Sequence, residues 1–258
     1  MITTRRRVLA AISVPVAALA ALAVGQTSVA VAASATSSAS LSAAQAASAS
    51  VAAASAATSS SPLLTRGSKG AAVLAAQKRL AALGYWLGTP DGVYGDKTVH
   101  AVIALQKVAG LARDGVIGPK TTRALAAGVR PKARTTRGDV IEVDLAHQVV
   151  LAVHSGRVNL VFDASTGSGA YYYSLGRLHH AVTPKGTYHV YRAVNGWDPG
   201  PLGKLYRPRY FNGGIAVHGY PSVPTYPASH GCVRVTIAAI DYVWARNLMP
   251  IGRAVVVR

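Results

Sequence analysis

Four patterns of apolar and polar positions follow one another along the chain. Residues 8–24 form an almost unbroken apolar run behind Arg5, Arg6 and Arg7. Residues 33–61 are almost entirely Ala, Ser, Thr and Val, with no charge and no stripe that could pack. Between residues 62 and 127 the spacing is helical. Val73, Leu74, Gln77, Leu80 and Ala81 share one face of a helix that Gly84 ends. Val99, Val102, Ile103 and Gln106 share a face of a second helix over residues 97–108, with Asp96 as its cap. Pro119 opens a third, at a position where its missing N–H costs nothing.

Beyond residue 138 the period changes to two. Residues 140–145 and 149–153 alternate, and Ser155-Gly156-Arg157 turns into a strand over 158–162. Residues 183–191 and 213–218 are each a turn feeding a strand. A helix fits residues 237–248, stopped before Pro250, and residues 254–257 close the sheet. The fold class is therefore α+β and multidomain. An export signal (1–32) and a flexible linker (33–61) precede a three-helix domain (62–127). A basic linker (128–137) then leads to a β-rich domain of antiparallel sheet with one main helix (138–258).

The leader decides the compartment. Its basic start, apolar run and Ala30-Val31-Ala32 cleavage site make an export signal. Thr4-Arg5-Arg6-Arg7-Val8-Leu9 also resembles a twin-arginine signal. The run is near the lower limit for crossing a bilayer, so membrane contact follows only if the leader stays uncleaved. Residues 33–61 cannot offset the entropy of ordering themselves and make a tether.

Charge narrows the partners. The chain has 27 basic and nine acidic residues, a net +18 that falls to +15 when the leader's three arginines are removed. For an exported protein such a charge favours anionic wall polymers. The basic residues form no nucleic-acid-binding motif, so nucleic acid is excluded. The acidic residues, Glu142 among them, offer no paired motif for a glycosidase. His179-His180 lacks a ligand set for zinc, and neither a metal nor an organic cofactor is implied.

Asp91-Gly92-Val93-Tyr94-Gly95-Asp96-Lys97-Thr98 recurs as Asp114-Gly115-Val116-Ile117-Gly118-Pro119-Lys120-Thr121. Each copy is a tight turn running into a helix. With Arg66-Gly67-Ser68-Lys69-Gly70 and Leu80-x-x-Leu83-Gly84-Tyr85, the twin motif resembles the helical peptidoglycan-binding module of bacterial wall enzymes. The glycines and aspartates are turn chemistry, and Tyr85, Trp86 and Tyr94 are core or rim rather than assigned sugar platforms.

Cys232 is the only cysteine, so an intramolecular disulfide is ruled out by arithmetic. An intermolecular bridge, a reactive free thiol and a buried small hydrophobe stay open. His218 ends its strand, and the loop from Gly219 returns at Ser229-His230-Gly231-Cys232, which can bring imidazole and thiol together. An imidazolium beside a thiol lowers its pKa and gives a thiolate ion pair able to accept an acyl group. Gly231 would let backbone N–H groups approach a developing oxyanion.

His218-Gly219 followed by Ser229-His230-Gly231-Cys232-Val233-Arg234 resembles the signature of the YkuD-type L,D-transpeptidases. Thr183-Pro184-x-Gly186 and Phe211-Asn212-Gly213-Gly214-Ile215-Ala216-Val217-His218-Gly219 are similar to the same family. The resemblance implies Cys232 as nucleophile, His218 as base and the Gly219 carbonyl as the group orienting the imidazole. It implies an oxyanion hole from the backbone amides of His230, Gly231 and Cys232. Ser229, Arg234 and Tyr210 become substrate-site candidates. Arg234 would either pair with a substrate carboxylate or hold the loop through backbone carbonyls.

The expected protein is an exported, monomeric cysteine acyltransferase of the cell wall. It would act on peptidoglycan stem peptides and glycan, forming 3→3 cross-links through a thioester. An L,D-carboxypeptidase on the same site and a non-catalytic wall-binding protein are the alternatives.

Overall fold

The computed structural model describes residues 63–258. The leader and the Ala/Ser-rich linker lie outside the described residues, as does the first residue of the expected helical domain.

Three helices come first: α1 (Ala71–Ala82), α2 (Asp96–Val108) and α3 (Pro119–Ala126). The repeated turn is explained by a buried glutamine inside each copy. Gln77 Nε2 donates to Asp91 Oδ1, Val93 O and Thr98 Oγ1, while its Oε1 accepts from the amides of Asp91 and Gly92. Gln106 Nε2 donates to Asp114 Oδ1, Val116 O and Thr121 Oγ1, and its Oε1 accepts from the Gly115 amide. Each Asp-Gly-Val turn is thus wrapped around an amide supplied by the preceding helix. Tyr94 ties the two copies together through its hydroxyl to Gly115 O at 2.7 Å. Both Tyr85 and Tyr94 are core residues, each 1 % exposed.

Two helical expectations change. Gly95, not Asp96, caps α2; Asp96 is its first residue, where a carboxylate favours the helix N-terminus, and it pairs with Arg66. Nor is α2 apolar on one face alone. Thr98, Ala101–Leu105, Gln106 and Lys107 are all buried, because the helix lies between its own module and a β-sheet.

The strands are β1 (Asp139–Asp144), β2 (Val149–His154), β3 (Arg157–Asp163), β4 (Tyr171–Ser174), β5 (Arg177–His180), β6 (Gly186–His189), β7 (Arg192–Ala193), β8 (Trp197–Gly200), β9 (Gly203–Asn212), β10 (Ile215–Tyr220), β11 (Val233–Thr236) and β12 (Ala254–Val257). Helix α4 (Ile237–Ala245) follows β11, with Thr236 Oγ1 accepting from the Ala239 amide as its cap. One sheet runs β3-β2-β1-β12-β6 and a second runs β11-β10-β9-β7, with β8 added to β9; β4 and β5 form a separate hairpin. Pairing is mainly antiparallel, but β1–β12 and β10–β11 are parallel. The last strand therefore lies inside its sheet rather than closing an edge.

The run over residues 149–153 is apolar at every position because β2 is covered on both sides. Val149, Leu151 and Val153 pack with the helices, while Val150 and Ala152 face the core shared with α4 and the second sheet. The segment after α1 extends the free edge of β3: Trp86 N donates to Val161 O at 3.0 Å and Val161 N to Gly84 O at 2.8 Å. Gly84 has φ 87°, and a Cβ there would lie 2.9 Å from Asn159 O, so this close approach needs glycine. The basic segment over residues 128–137 is pinned as well. Arg130 Nη2 donates to Val158 O at 2.6 Å, and the Arg134 and Thr135 amides donate to Glu142 Oε1. Glu142 is fully buried and also accepts from Arg258 Nε at 2.9 Å, a structural role. No helix among the described residues is long and apolar enough to cross a membrane.

Replacing Gln106 by leucine strands the Gly115 amide inside the turn and leaves the Val116 carbonyl only the Thr121 hydroxyl. The Gln106→Leu chain is expected to lose about 3 kcal/mol of unfolding free energy in urea titration. A loss below about 0.5 kcal/mol would contradict the structural role given to this amide.

Candidate active site

The parallel register of β10 and β11 builds the site. Val217 lies beside Val233 and His218 beside Arg234. Side chains alternate across a strand, so Val217, Val233 and Val235 enter the core with α4. His218, Tyr220 and Arg234 take the opposite face, and Cys232, one residue before β11, meets Gly214 O and the Ala216 amide. Counted back from the Val217–Val233 pair, Cys232 comes level with Ala216, two positions before His218. Gly219 belongs to the α4 face: a Cβ there would meet Ile240 Cγ2 at 2.6 Å. Contrary to expectation, β10 continues through Tyr220, so His218 sits inside the strand, paired with Arg234 on one side and at a register shift against β9 on the other.

His218 is buried, and its Nδ1 lies 3.0 Å from Gly219 O. A carbonyl only accepts, so the ring carries its proton on Nδ1 and leaves Nε2 as the acceptor. Burial pushes His218 down to about 4, against the Gly219 hydrogen bond, with the nearby Arg234 cation lowering it further. Burial pushes the Cys232 thiol up, opposed by the Ala216 amide and by Arg234. The thiol donates to Gly214 O at 3.6 Å. The resting pair is therefore uncharged. An imidazolium–thiolate pair, expected from the sequence, would place a charge on the buried imidazole beside a half-buried thiol.

Ser229 is buried and organises the turn before the thiol. Its Oγ donates to Cys232 O at 2.5 Å and accepts from the Gly231 amide at 3.0 Å. The Gly231 N–H, one of the three amides implied for an oxyanion hole, is thereby already engaged within the loop. Gly231 has φ 136°, and a Cβ there would lie 2.9 Å from Val182 O. His230 projects outward, edge-on to Tyr172 of the β4–β5 hairpin at 4.5 Å. The Arg234 guanidinium lies 4.2 Å over the Tyr220 ring, while its backbone N and O both pair with Ser165. Its main chain, not its side chain, holds the loop. Tyr210 pairs with Ala216 and so faces the same side as the thiol. Its hydroxyl donates to Asp198 Oδ2 at 2.7 Å, and burial, reinforced by Asp198, pushes the phenol up to about 12.

Several supporting residues carry no role in the sequence reading. Thr183 Oγ1 donates to Gly231 O at 2.7 Å and accepts from the Gly167 amide at 3.0 Å. Its place in Thr183-Pro184-x-Gly186 is the signal that marks it. Ser165, Thr166 and Gln148 also bear on the loop, and no local pattern in the sequence distinguishes them.

The profile of the peptidoglycan binding domain family matches residues 69–125, and that of the YkuD L,D-transpeptidase catalytic domain matches residues 138–257. The crystal structure of an L,D-transpeptidase from Xylanimonas cellulosilytica superposes with a TM-score of 0.73 at 50% identity, covering 76% of this chain and 97% of that one. The chain belongs to the YkuD L,D-transpeptidase family. Its L,D-transpeptidase domain contains every site residue described above. The amidase CwlL of Bacillus licheniformis is 48% identical over 79 residues, 30% of this chain and 22% of that protein. The amidase CwlM of Mycobacterium tuberculosis is 43% identical over 56 residues, 22% of this chain and 14% of that protein. The chain spans about a fifth or less of the length of the curated amidases it matches.

A protonated resting thiol sets the pH dependence of simple alkylation. The rate of Cys232 modification by iodoacetamide is expected to keep rising with pH through the ordinary thiol range. A plateau already reached at neutral pH would reveal a preformed thiolate instead.

Proposed function

We propose that this chain is an exported, wall-associated L,D-transpeptidase that forms 3→3 cross-links through a thioester on Cys232. The observation that carries the reading is the placement of His218 beside Arg234, two residues after Cys232, with the ring's tautomer set by the Gly219 carbonyl. The thiol sulfur attacks the carbonyl carbon at the L-centre of diaminopimelate in a tetrapeptide stem. Its proton passes to His218 Nε2 as the S–C bond forms, so the charged pair exists only during the reaction. With the Gly231 amide held by Ser229, the amides of His230 and Cys232 receive the oxyanion. His218 then gives the proton to the D-alanine nitrogen as the C–N bond breaks, leaving the thioester. An amine of a neighbouring stem attacks the thioester, loses its proton to His218, and the sulfur leaves and recovers that proton.

An imidazole that protonates only near pH 4 stays competent as an acceptor across the neutral range. Arg234, beside both reacting groups, stabilises negative charge on the sulfur and on an incoming stem carboxylate. Tyr210, fixed by Asp198, walls the cleft. The helical module and the basic surface act together to keep the monomeric enzyme at its polymer, raising local substrate concentration. The leader takes the chain out of the cytoplasm.

Purified disaccharide-tetrapeptides incubated with the full chain and weighed by mass spectrometry are expected to yield cross-linked dimers and free D-alanine. The Cys232→Ala chain is expected to yield neither. Trimmed monomers alone would show a carboxypeptidase, and unchanged peptides would show a binding protein. The acid limb of the rate is expected near pH 4; a limb near the ordinary histidine value would contradict the assigned environment of His218.

A further inference from the structure

One buried cation belongs to the helical module yet spends its hydrogen bonds on the other domain. The Lys107 side chain, from the last turn of α2, is wholly buried. Its Nζ donates to Asp163 Oδ1 at 2.5 Å, Ala164 O at 2.7 Å and Gln148 O at 3.2 Å. Asp163, equally buried, is also met on its other oxygen by His100 Nδ1 at 2.7 Å. Fixing strand packing alone would be served by apolar side chains, which bury without a desolvation penalty. The two carbonyls chosen by Lys107 instead begin two short routes to the thiol loop.

The first route is main chain. Residues 164–168 leave β3 and run along the loop that carries Cys232. Ser165 and Arg234 exchange both backbone hydrogen bonds, at 3.0 and 2.9 Å. Thr166 O accepts from the amides of Ala228 and Ser229, and Ser168 N donates to Ser229 O at 2.9 Å. Ser229 Oγ then holds the Cys232 carbonyl. The second route goes through Gln148, a non-glycine residue kept at φ 55°. Its Oε1 accepts from the Thr166 amide at 2.9 Å and its Nε2 donates to Thr166 Oγ1 at 2.8 Å. Both routes converge on Thr166, whose carbonyl carries the Ser229 amide.

We propose that Lys107 is a positioning residue of the thiol site: the wall-binding module sets the placement of Ser229 and Cys232 through Ala164, Gln148 and Thr166. The inference rests on the assignment of Cys232 as the nucleophile. The module is then part of the catalytic structure as well as an anchor. Loss of Lys107 frees residues 164–168 to shift. Displacements of about an ångström at a reacting group cost on the order of a hundredfold in rate.

The test uses the full chain with Lys107→Met and Asp163→Asn together, which removes both buried charges and leaves none stranded. Thermal unfolding and binding to insoluble peptidoglycan report the fold and the anchor. Turnover of disaccharide-tetrapeptide reports kcat and KM separately. With the variant folded and wall-bound, kcat is expected to fall about tenfold or more while KM changes less than about twofold. A folded variant with wild-type kcat overturns the inference, since a merely structural lysine would lower the unfolding temperature alone. Should the double variant fail to fold, Thr166→Val removes the Gln148–Thr166 hydroxyl bond while leaving the ion pair intact. It is expected to show the same selective loss of kcat, and wild-type turnover again overturns the inference. An inactive wild-type chain defeats the functional assignment itself, a different result from an active wild type with an equally active variant.

Discussion

The parallel pairing of β10 with β11 sets His218 beside Arg234, two residues after Cys232. Parallel neighbours cannot be joined by a tight turn, so residues 221–232 must cross from the end of one strand to the start of the next. That crossing brings Ser229, Gly231 and Cys232 to the sheet surface. It also leaves the thiol just outside the ladder, with no regular strand bonds of its own. The loop is instead held by specific groups: Ser229 Oγ across its turn, Thr183 Oγ1 on Gly231 O, and the backbone of residues 165–168 along its length. Gly167, Gly219 and Gly231 mark three places around it where neighbouring atoms come too close for any side chain.

Burial controls the chemistry of this face. It holds the imidazole and thiol uncharged and gives the Gly219 carbonyl one task, selecting the tautomer that leaves Nε2 open. No carboxylate is among the recorded hydrogen-bond partners of His218. A carbonyl orients the ring while adding no full charge, which suits the proposed role of His218 as a base that stays neutral until the thiol surrenders its proton. Arg234 disfavours the imidazolium and favours the anionic sulfur, biasing the proton's position in opposite senses.

Much of this was legible in the sequence, and the unread part has physical causes. The helical period at Val73–Leu80 and the Asp-Gly repeat located the first module, since turn chemistry and amphipathic spacing are local properties. The motif around Cys232 singled out the thiol and imidazole now proposed to react, and α4 starts where pattern placed it, whereas the last strand lies inside its sheet. Strands β4, β5, β7, β8, β9 and β11 were not resolved from pattern, because they are short, exposed or rich in Tyr, Arg and Gly with little alternation. The continuous burial of α2 and β2 was hidden too. A stripe pattern reports one buried face, whereas these elements are covered by two domains at once. Lys107 had no local signal whatever: a lysine in the last turn of a helix ordinarily favours the helix terminus in solvent. Only the distant Asp163 and Ala164 reveal its role. The same holds for residues 128–137, basic like a solvated linker but docked against Glu142 and Val158.

The central claim is that acyl transfer passes through the sulfur of Cys232. Rapid mixing of the full chain with a tetrapeptide stem, acid quenching and peptide mapping by mass spectrometry tests it most directly. The account predicts a tripeptide acyl group on Cys232, formed with release of one D-alanine before any cross-linked product. Product appearing while Cys232 stays unmodified at every quench time, or an acyl group found on another residue, would contradict it.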